Sequence, residues 1–255
     1  MADSSTLVIE LKQVRYLADS TPVLDGVNLA VNRGEVVGVM GRSGTGKTTL
    51  LRLIMGLLSP ASGQVLVGGE NVSALPEREL ERLRLNMGMV FQGAALFDSM
   101  TVAENVAFAL VEHRRARGQE LAGRVRDLLE MVGMVGTEKR LPAELSGGMR
   151  KRIGIARALA MEPEIVLYDE PTAGLDPISA ANIDHLVVRL KGQLGVTSVV
   201  VSHDVQSLRR VCDRVALLHA GKFIAAGTPA ELESSSDPAV RQFLSGSEEG
   251  PLTED

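Results

Sequence analysis

Eight consecutive residues, Gly41-Arg42-Ser43-Gly44-Thr45-Gly46-Lys47-Thr48, satisfy the pattern G-x-x-x-x-G-K-[ST] in full. The chemistry this pattern serves is phosphate binding. Its glycines let the main chain turn N–H groups inward around an anion. A helix that follows adds its positive N-terminal end. Lys47 has the reach and charge to meet β- and γ-phosphates, and the Thr48 hydroxyl is a hard oxygen ligand suited to Mg2+. The apolar run Glu35 to Met40 predicts a strand ahead of the loop. Behind it, Leu50, Leu51, Leu53, Ile54 and Leu57 predict a helix over 48–58. Strand, glycine loop and helix form the setting in which this pattern binds and hydrolyses ATP.

Other residues fit the same chemistry. Ile165-Val166-Leu167-Tyr168-Asp169-Glu170 predicts an apolar strand ending in two carboxylates. Asp169 suits a metal ion or its bound water, and Glu170, one residue on, suits polarising a water for attack on the γ-phosphate. His203 follows the apolar run Val199-Val200-Val201 and Ser202, at another strand tip, where an imidazole can hydrogen-bond the γ-phosphate. His113, His185 and His219 share no such position and read as surface or internally satisfied histidines. Gln92 follows Met89-Val90-Phe91. Its carbonyl can contact Mg2+ or the water, and a solvated loop amide accounts for it equally well. Leu145-Ser146-Gly147-Gly148-Met149 precedes a basic helix over 150–160. Ser-Gly-Gly at a helix start is either a plain N-cap or a second anion cradle. One nucleotide does not need two cradles distant in sequence. A dimer, in which this segment closes over the other copy's ATP, resolves the surplus.

These residues need elements to position them. Strands are expected over 6–14, 23–31, 64–67, 88–91, 198–201 and in a final hairpin, 215–218 with 223–225. Helices are expected over 76–85 and 179–194. Between 102 and 160 strand-like runs thin out and helix formers dominate, so a helical insertion is expected there. Strands separated by helices imply an α/β fold, a mixed, mostly parallel sheet with helices on both faces and ligands beyond the strands' carboxyl ends. The polar, acidic stretch after Gly246 is expected to be disordered.

The chain has 255 residues, 45% apolar, with a formal net charge of -5. That suffices for a sizeable core and lacks the basic excess of a nucleic-acid binder. The one cysteine, Cys212, excludes an internal disulfide and reads as a small buried hydrophobe. No secretory signal is read at Met1 to Thr6, and no window approaches the roughly 18 apolar residues of a membrane helix. Work at a membrane would require another chain to hold this one there.

Together these segments resemble the nucleotide-binding subunits of ABC transporters, from about Leu7 to Gly246. Gly41 to Thr48 looks like Walker A, Ile165 to Glu170 like Walker B with its catalytic glutamate, and Gln92 like the Q-loop residue. Leu145 to Met149 resembles the signature, Ala173-Gly174-Leu175-Asp176 the D-loop, and His203 the switch histidine. The resemblance implies a P-loop NTPase core of the RecA type, about 7–92 and 162–246, with a helical subdomain at about 93–161. It implies ATP and Mg2+ as ligands, with Thr48, Gln92 and Asp169 toward the metal and Glu170, His203 and Gln92 as catalytic groups. It places ATP against Tyr16, Gly41, Arg42, Ser43, Gly44, Thr45, Gly46, Lys47, Thr48 and Thr49, and against Ser146, Gly147, Gly148 and Asp176. Tyr16 would stack on adenine. It further implies a head-to-tail dimer with two ATP molecules between copies, and a groove from Gln92 to about Asn105 for a coupling helix of an integral membrane permease.

One departure is informative. Met149 stands where the family commonly has glutamine, and methionine lacks that amide's donors. Leu145 to Met149, Phe91-Gln92-Gly93-Ala94-Ala95-Leu96-Phe97 and Asp237 to Gly246 look like the ATPase of Mla-type phospholipid transporters. That likeness implies an MCE-type lipid-binding protein as a further partner and a place on the cytoplasmic face of the inner membrane. An importer ATPase for a small polar solute, such as an amino acid, shares the ATP-cycle motifs. An ABC ATPase acting on DNA or ribosomes would carry basic arms or long coiled coils, and a P-loop kinase or GTPase would leave Ser146 to Gly148 and His203 without a role.

Overall fold

The computed structural model describes residues 7–253, so the reading of Met1 to Thr6 lies outside the described residues. Leu7–Ala18 (β1) and Thr21–Asn32 (β2) form an antiparallel hairpin turned by Asp19 and Ser20. Val36–Met40 (β3) leads through the glycine loop into Lys47–Ile54 (α1). Next come Ser62–Val67 (β4), Glu70–Asn71 (β5), Glu77–Leu85 (α2), Met87–Val90 (β6) and Val102–Glu112 (α3). Gly118–Met131 (α4), Gly147–Leu159 (α5), Ile165–Asp169 (β7), Pro177–Leu194 (α6) and Thr197–Ser202 (β8) follow. Val205–Val211 (α7), Arg214–His219 (β9), Lys222–Gly227 (β10), Pro229–Glu233 (α8) and Pro238–Ser245 (α9) complete the chain.

Two units result, residues 7–80 with 197–253 and Glu81–Val196. In the first, β3 lies parallel between β8 and β9, with Met40 opposite Ser202 and Leu217. Every residue of β3 and β8 is buried, the pattern of strands covered on both faces. Leu50, Leu51, Leu53 and Ile54 of α1 are buried as well. The parallel expectation holds for these strands. β2, β1, β4 and β5, in that order, instead build a separate antiparallel sheet, because exposed positions interrupt their apolar ones. Cys212 is buried where α7 ends, its sulfur closing on Gly38.

The second unit pairs β6 with β7 in parallel, Val90 opposite Tyr168, and packs α5 against β6, α3, α4 and α6. A capping box between Thr101 and Glu104 starts α3. The fully buried Asn105 braces the loop before it: its side-chain oxygen accepts from Phe97 N at 2.8 Å, and its amide donates to the carbonyls of Phe97, Met100 and Thr101 at 3.0–3.1 Å.

Two expectations are corrected. The helix after the glycine loop stops at Ile54 rather than 58; the chain turns at Gly56, and Leu57, counted among its apolar positions, is largely exposed. The stretch after Gly246, read as disordered, is ordered through Thr253. Leu252 is buried, its N–H donates to Gln242 Oε1 at 2.7 Å, and the same glutamine's amide donates to Ser247 O and Thr253 Oγ1. A single apolar side chain and one buried amide give the acidic segment a docking point that its composition conceals.

Candidate functional site

The glycine loop is shaped by close approach. A Cβ on Gly41 would stand 2.5 Å from Leu218 O and 2.8 Å from Thr45 Oγ1. Gly46 lies at φ 100° against Leu24 and Val23, so a side chain there is excluded both by conformation and by space. Gly46 is also the N-cap of α1, and no side chain caps that helix. Its N-terminal end therefore has the form of an anion site. The Lys47 ammonium is buried and donates to Gly41 O at 2.8 Å and Arg42 O at 2.9 Å. Thr45 Oγ1 donates to Arg42 O as well, at 2.9 Å. Thr48 and Thr49 are half-buried in the first turn of α1, while Arg42, Ser43 and Gly44 are exposed. The Arg42 guanidinium donates to Leu252 O at 2.9 Å, tying loop to tail.

Two further expected residues lie in this unit. Because Met40 pairs with Ser202, Gly41 and His203 each stand one residue beyond the same rung of the sheet. His203 is exposed there, and Ser202 Oγ accepts from Asp204 N beside it. Tyr16 is half-buried on β1, opposite the Leu24 that packs on Gly46.

The Glu81–Val196 unit brings together Gln92, Asp169 and Glu170. Val90 opposite Tyr168 puts Gln92 and Glu170 each two residues past one rung. Asp169 and Glu170 are both buried. Glu170 is in the left-handed region, φ 48°, an unfavourable conformation for a residue with a Cβ. Two donors hold its carbonyl oxygen: Ala173 N at 3.1 Å and Lys151 Nζ at 3.2 Å. Lys151, 5% exposed on α5, donates in addition to Gln92 O. Burial pushes its pKa below the ordinary lysine value, and the carboxylates of Glu170 and Asp169 oppose that shift. Gln92 itself is exposed.

Ser146 is the N-cap of α5, its Oγ accepting from Met149 N at 3.3 Å. Gly147 and Gly148 face Leu175 and Ser179, so this segment neighbours the start of α6. Asp176 caps α6 by accepting from Ile178 N and Ser179 N at 3.0 Å. Hydrogen bonds from the Ser179 side chain and main chain hold its carboxyl below the usual range. Both readings of Ser-Gly-Gly thus keep a basis: the hydroxyl caps its helix, and at that helix end Ser146 is exposed and Gly147 and Gly148 are half-buried.

The donor set also bears on the metal. Among the described residues no group of three or more His, Cys, Asp or Glu forms a cage. Thr48 in the first unit is a hydroxyl and Asp169 in the second a carboxylate, each by its chemistry a hard oxygen donor of the kind Mg2+ takes. Sequence reasoning missed Lys151 and Arg157. Arg157 donates to Ala94 O and Ala95 O at 3.0 and 2.6 Å, and its guanidinium lies 5.8 Å from the Phe97 ring centre. Nothing in the basic run 150–157 distinguishes these two from its other cations.

An apolar cleft of about 890 Å³ opens between α3 and α4, lined by Met100, Ala103, Ala107, Phe108, Leu121 and Val125. Phe97 and Phe108, in contact at 4.7 Å between ring centres, are both partly exposed.

Residues 24–173 match the family described as ABC transporter. The chain is 41% identical over 252 residues to the intermembrane phospholipid transport system ATP-binding protein MlaF of Escherichia coli K12, covering 99% of this chain and 94% of that one. It is 46% identical over 228 residues to the methionine import ATP-binding protein MetN of Caulobacter vibrioides, covering 89% of this chain and 68% of that one. A solved dimeric structure of an ATP-binding cassette in a post-hydrolysis state, bound to ADP and Pi, aligns with a TM-score of 0.79 at 34% identity, covering 87% and 98% of the two chains.

Proposed function

This chain belongs to the ABC transporter family, whose ATP-binding subunits bind and hydrolyse ATP, and on that premise we propose that it energises phospholipid transport through an integral membrane permease. The observation that carries the ATP half is the uncapped α1 beneath a loop whose buried Lys47 grips main-chain carbonyls, an arrangement that phosphate oxygens can take over. The lipid half rests on the end-to-end likeness to a phospholipid transport ATPase at 41% identity.

In this reading Gly41 to Thr49 hold the triphosphate and Tyr16 stacks on the base. Thr48 and Asp169, with Gln92, supply the protein ligands of Mg2+. The bound ion neutralises phosphate charge. Glu170 orients and polarises the attacking water, and His203 hydrogen-bonds the γ-phosphate. Ser146, Gly147, Gly148 and Asp176 act on the ATP of a second copy. The cassette structure just described is dimeric, which supports that arrangement. Residues 93–161 serve as a helical subdomain within a core of 7–92 and 162–246, and α3, α4 and α5 lie inside that span. The α3–α4 cleft, continuous with the loop braced by Asn105, offers an apolar seat for a permease helix. No helix among the described residues is long and apolar enough to cross a membrane. In this reading the permease holds the chain at the cytoplasmic face of the inner membrane. An MCE-type lipid-binding protein completes the proposed assembly.

The 46% identity to a methionine importer ATPase supports a second reading, import of a small polar solute. Isolating the membrane complex and identifying its subunits and bound lipids by mass spectrometry separates the two. Copurifying phospholipid with an MCE subunit supports the first. A solute-binding protein and no lipid would replace it with the second.

A further inference from the structure

We propose that Lys151 is a positioning residue of the hydrolysis site, one ammonium that ties the main chain of Gln92 to the main chain of Glu170. The inference rests on the reading of Glu170 as the residue that orients the attacking water.

A buried ammonium is unfavourable unless its donors are met. Lys151 meets two of them with main-chain carbonyls from segments 59 and 19 residues away, those of Gln92 and Glu170. Both carbonyls belong to residues at one edge of the β6–β7 pair. Glu170 needs such a partner. Its φ of 48° is a conformation that side-chain-bearing residues leave when nothing over-determines it. Any relaxation of that φ swings the carboxylate, because the Cα–Cβ bond turns with the main chain. A displacement of about 1 Å at a reacting group costs on the order of 100-fold in rate.

The same face of α5 repeats the device. Lys151, Gly154 and Arg157 recur at helical spacing. Gly154 packs against Ala94, and Arg157 donates to the carbonyls of Ala94 and Ala95, again non-glycine residues at positive φ, 61° and 48°. Residues 92–95 are therefore held along their length by cations of one helix. That helix begins at Ser146, so the segment proposed to face the second copy's ATP and the clamp on Gln92 and Glu170 share one rigid element.

The test uses the full chain in the membrane complex it purifies with, measured by steady-state ATP hydrolysis. Lys151→Met keeps the apolar stem and removes the donors. It is expected to lower kcat by about 10- to 100-fold while KM for ATP stays within about 2-fold, since the phosphate loop is untouched. Lys151→Arg restores two donors at similar reach and is expected to recover kcat to within about 5-fold of the parent. A parental kcat in Lys151→Met, a KM that rises as kcat falls, or no recovery in Lys151→Arg would each overturn the proposal. Should Lys151→Met fail to fold by circular dichroism, Lys151→Gln, a neutral donor of shorter reach, is judged by the same split between kcat and KM. Glu170→Gln runs alongside. Arrest there with normal turnover in Lys151→Met defeats the positioning role alone, whereas normal turnover in Glu170→Gln defeats the reading beneath it.

Discussion

Lys47 and Lys151 are both buried ammonium ions, and each donates to two main-chain carbonyls. They differ in where those carbonyls come from. Lys47 reaches back five and six residues, to Arg42 and Gly41, within its own loop. Lys151 reaches carbonyls 59 and 19 residues away. A cation bonded to carbonyls of its own loop can trade them for phosphate oxygens without releasing the main chain of a distant segment. A cation that joins distant segments cannot let go without releasing them. One chemical group, equally buried, is thus placed to exchange partners in the first unit and to join distant segments in the second.

The largest effect should come at the exchangeable lysine. Lys47→Ala is expected to lower ATP hydrolysis by at least about 1,000-fold, with loss of nucleotide binding in a fluorescence titration. Lys47→Arg should remain down by about 100-fold or more, because the planar fork does not fit a loop closed around a point charge, while Lys151→Arg recovers. Parental activity in Lys47→Arg would break the distinction.

Glu170→Gln follows, with turnover down by about 100- to 1,000-fold and ATP-bound dimer accumulating on size-exclusion chromatography. Dimer without trapped ATP would count against Glu170 as the water-orienting group.

Below these stands a clasp without charge. Asn105→Ala removes the acceptor of Phe97 N and the amide's bond to Met100 O, while Phe97 O and Thr101 O keep their main-chain donors, so stability should fall by about 1–3 kcal/mol, read by chemical denaturation, with KM for ATP unchanged. The smallest effect is expected at the tail. Leu252→Ser should cost about 1 kcal/mol and expose residues 247–253 to proteolysis, with the ATPase rate intact. A large loss of activity there would mean that the Arg42 contact with Leu252 O does more than anchor the tail.

The phosphate loop was legible in the sequence because its determinants are local. Gly41, Gly46 and Lys47 are separated by a fixed few bonds, so residue type and spacing alone dictate the turn, the cradle and the helix that follows. The positions of Asp169, Glu170 and His203 were legible for a related reason, as polar residues at or one step beyond the ends of wholly buried strands. The antiparallel sheet of β1, β2, β4 and β5 was not, since a strand's sequence states its own burial and not its partners. The order of residues 247–253 was hidden too, because composition is polar throughout and one leucine decides it.

By itself, then, the sequence determined the α/β class, the ATP-binding family and which carboxylates and histidine the proposed hydrolysis would use. Only the tertiary structure decided how Gln92 and Glu170 are held. The left-handed Glu170, the Lys151 bridge from Gln92 to Glu170 and the Arg157 grip on Ala94 and Ala95 depend on carbonyls that every residue possesses. A main-chain acceptor carries no signature in residue type, so a clasp built on such acceptors becomes visible only when the chain is folded.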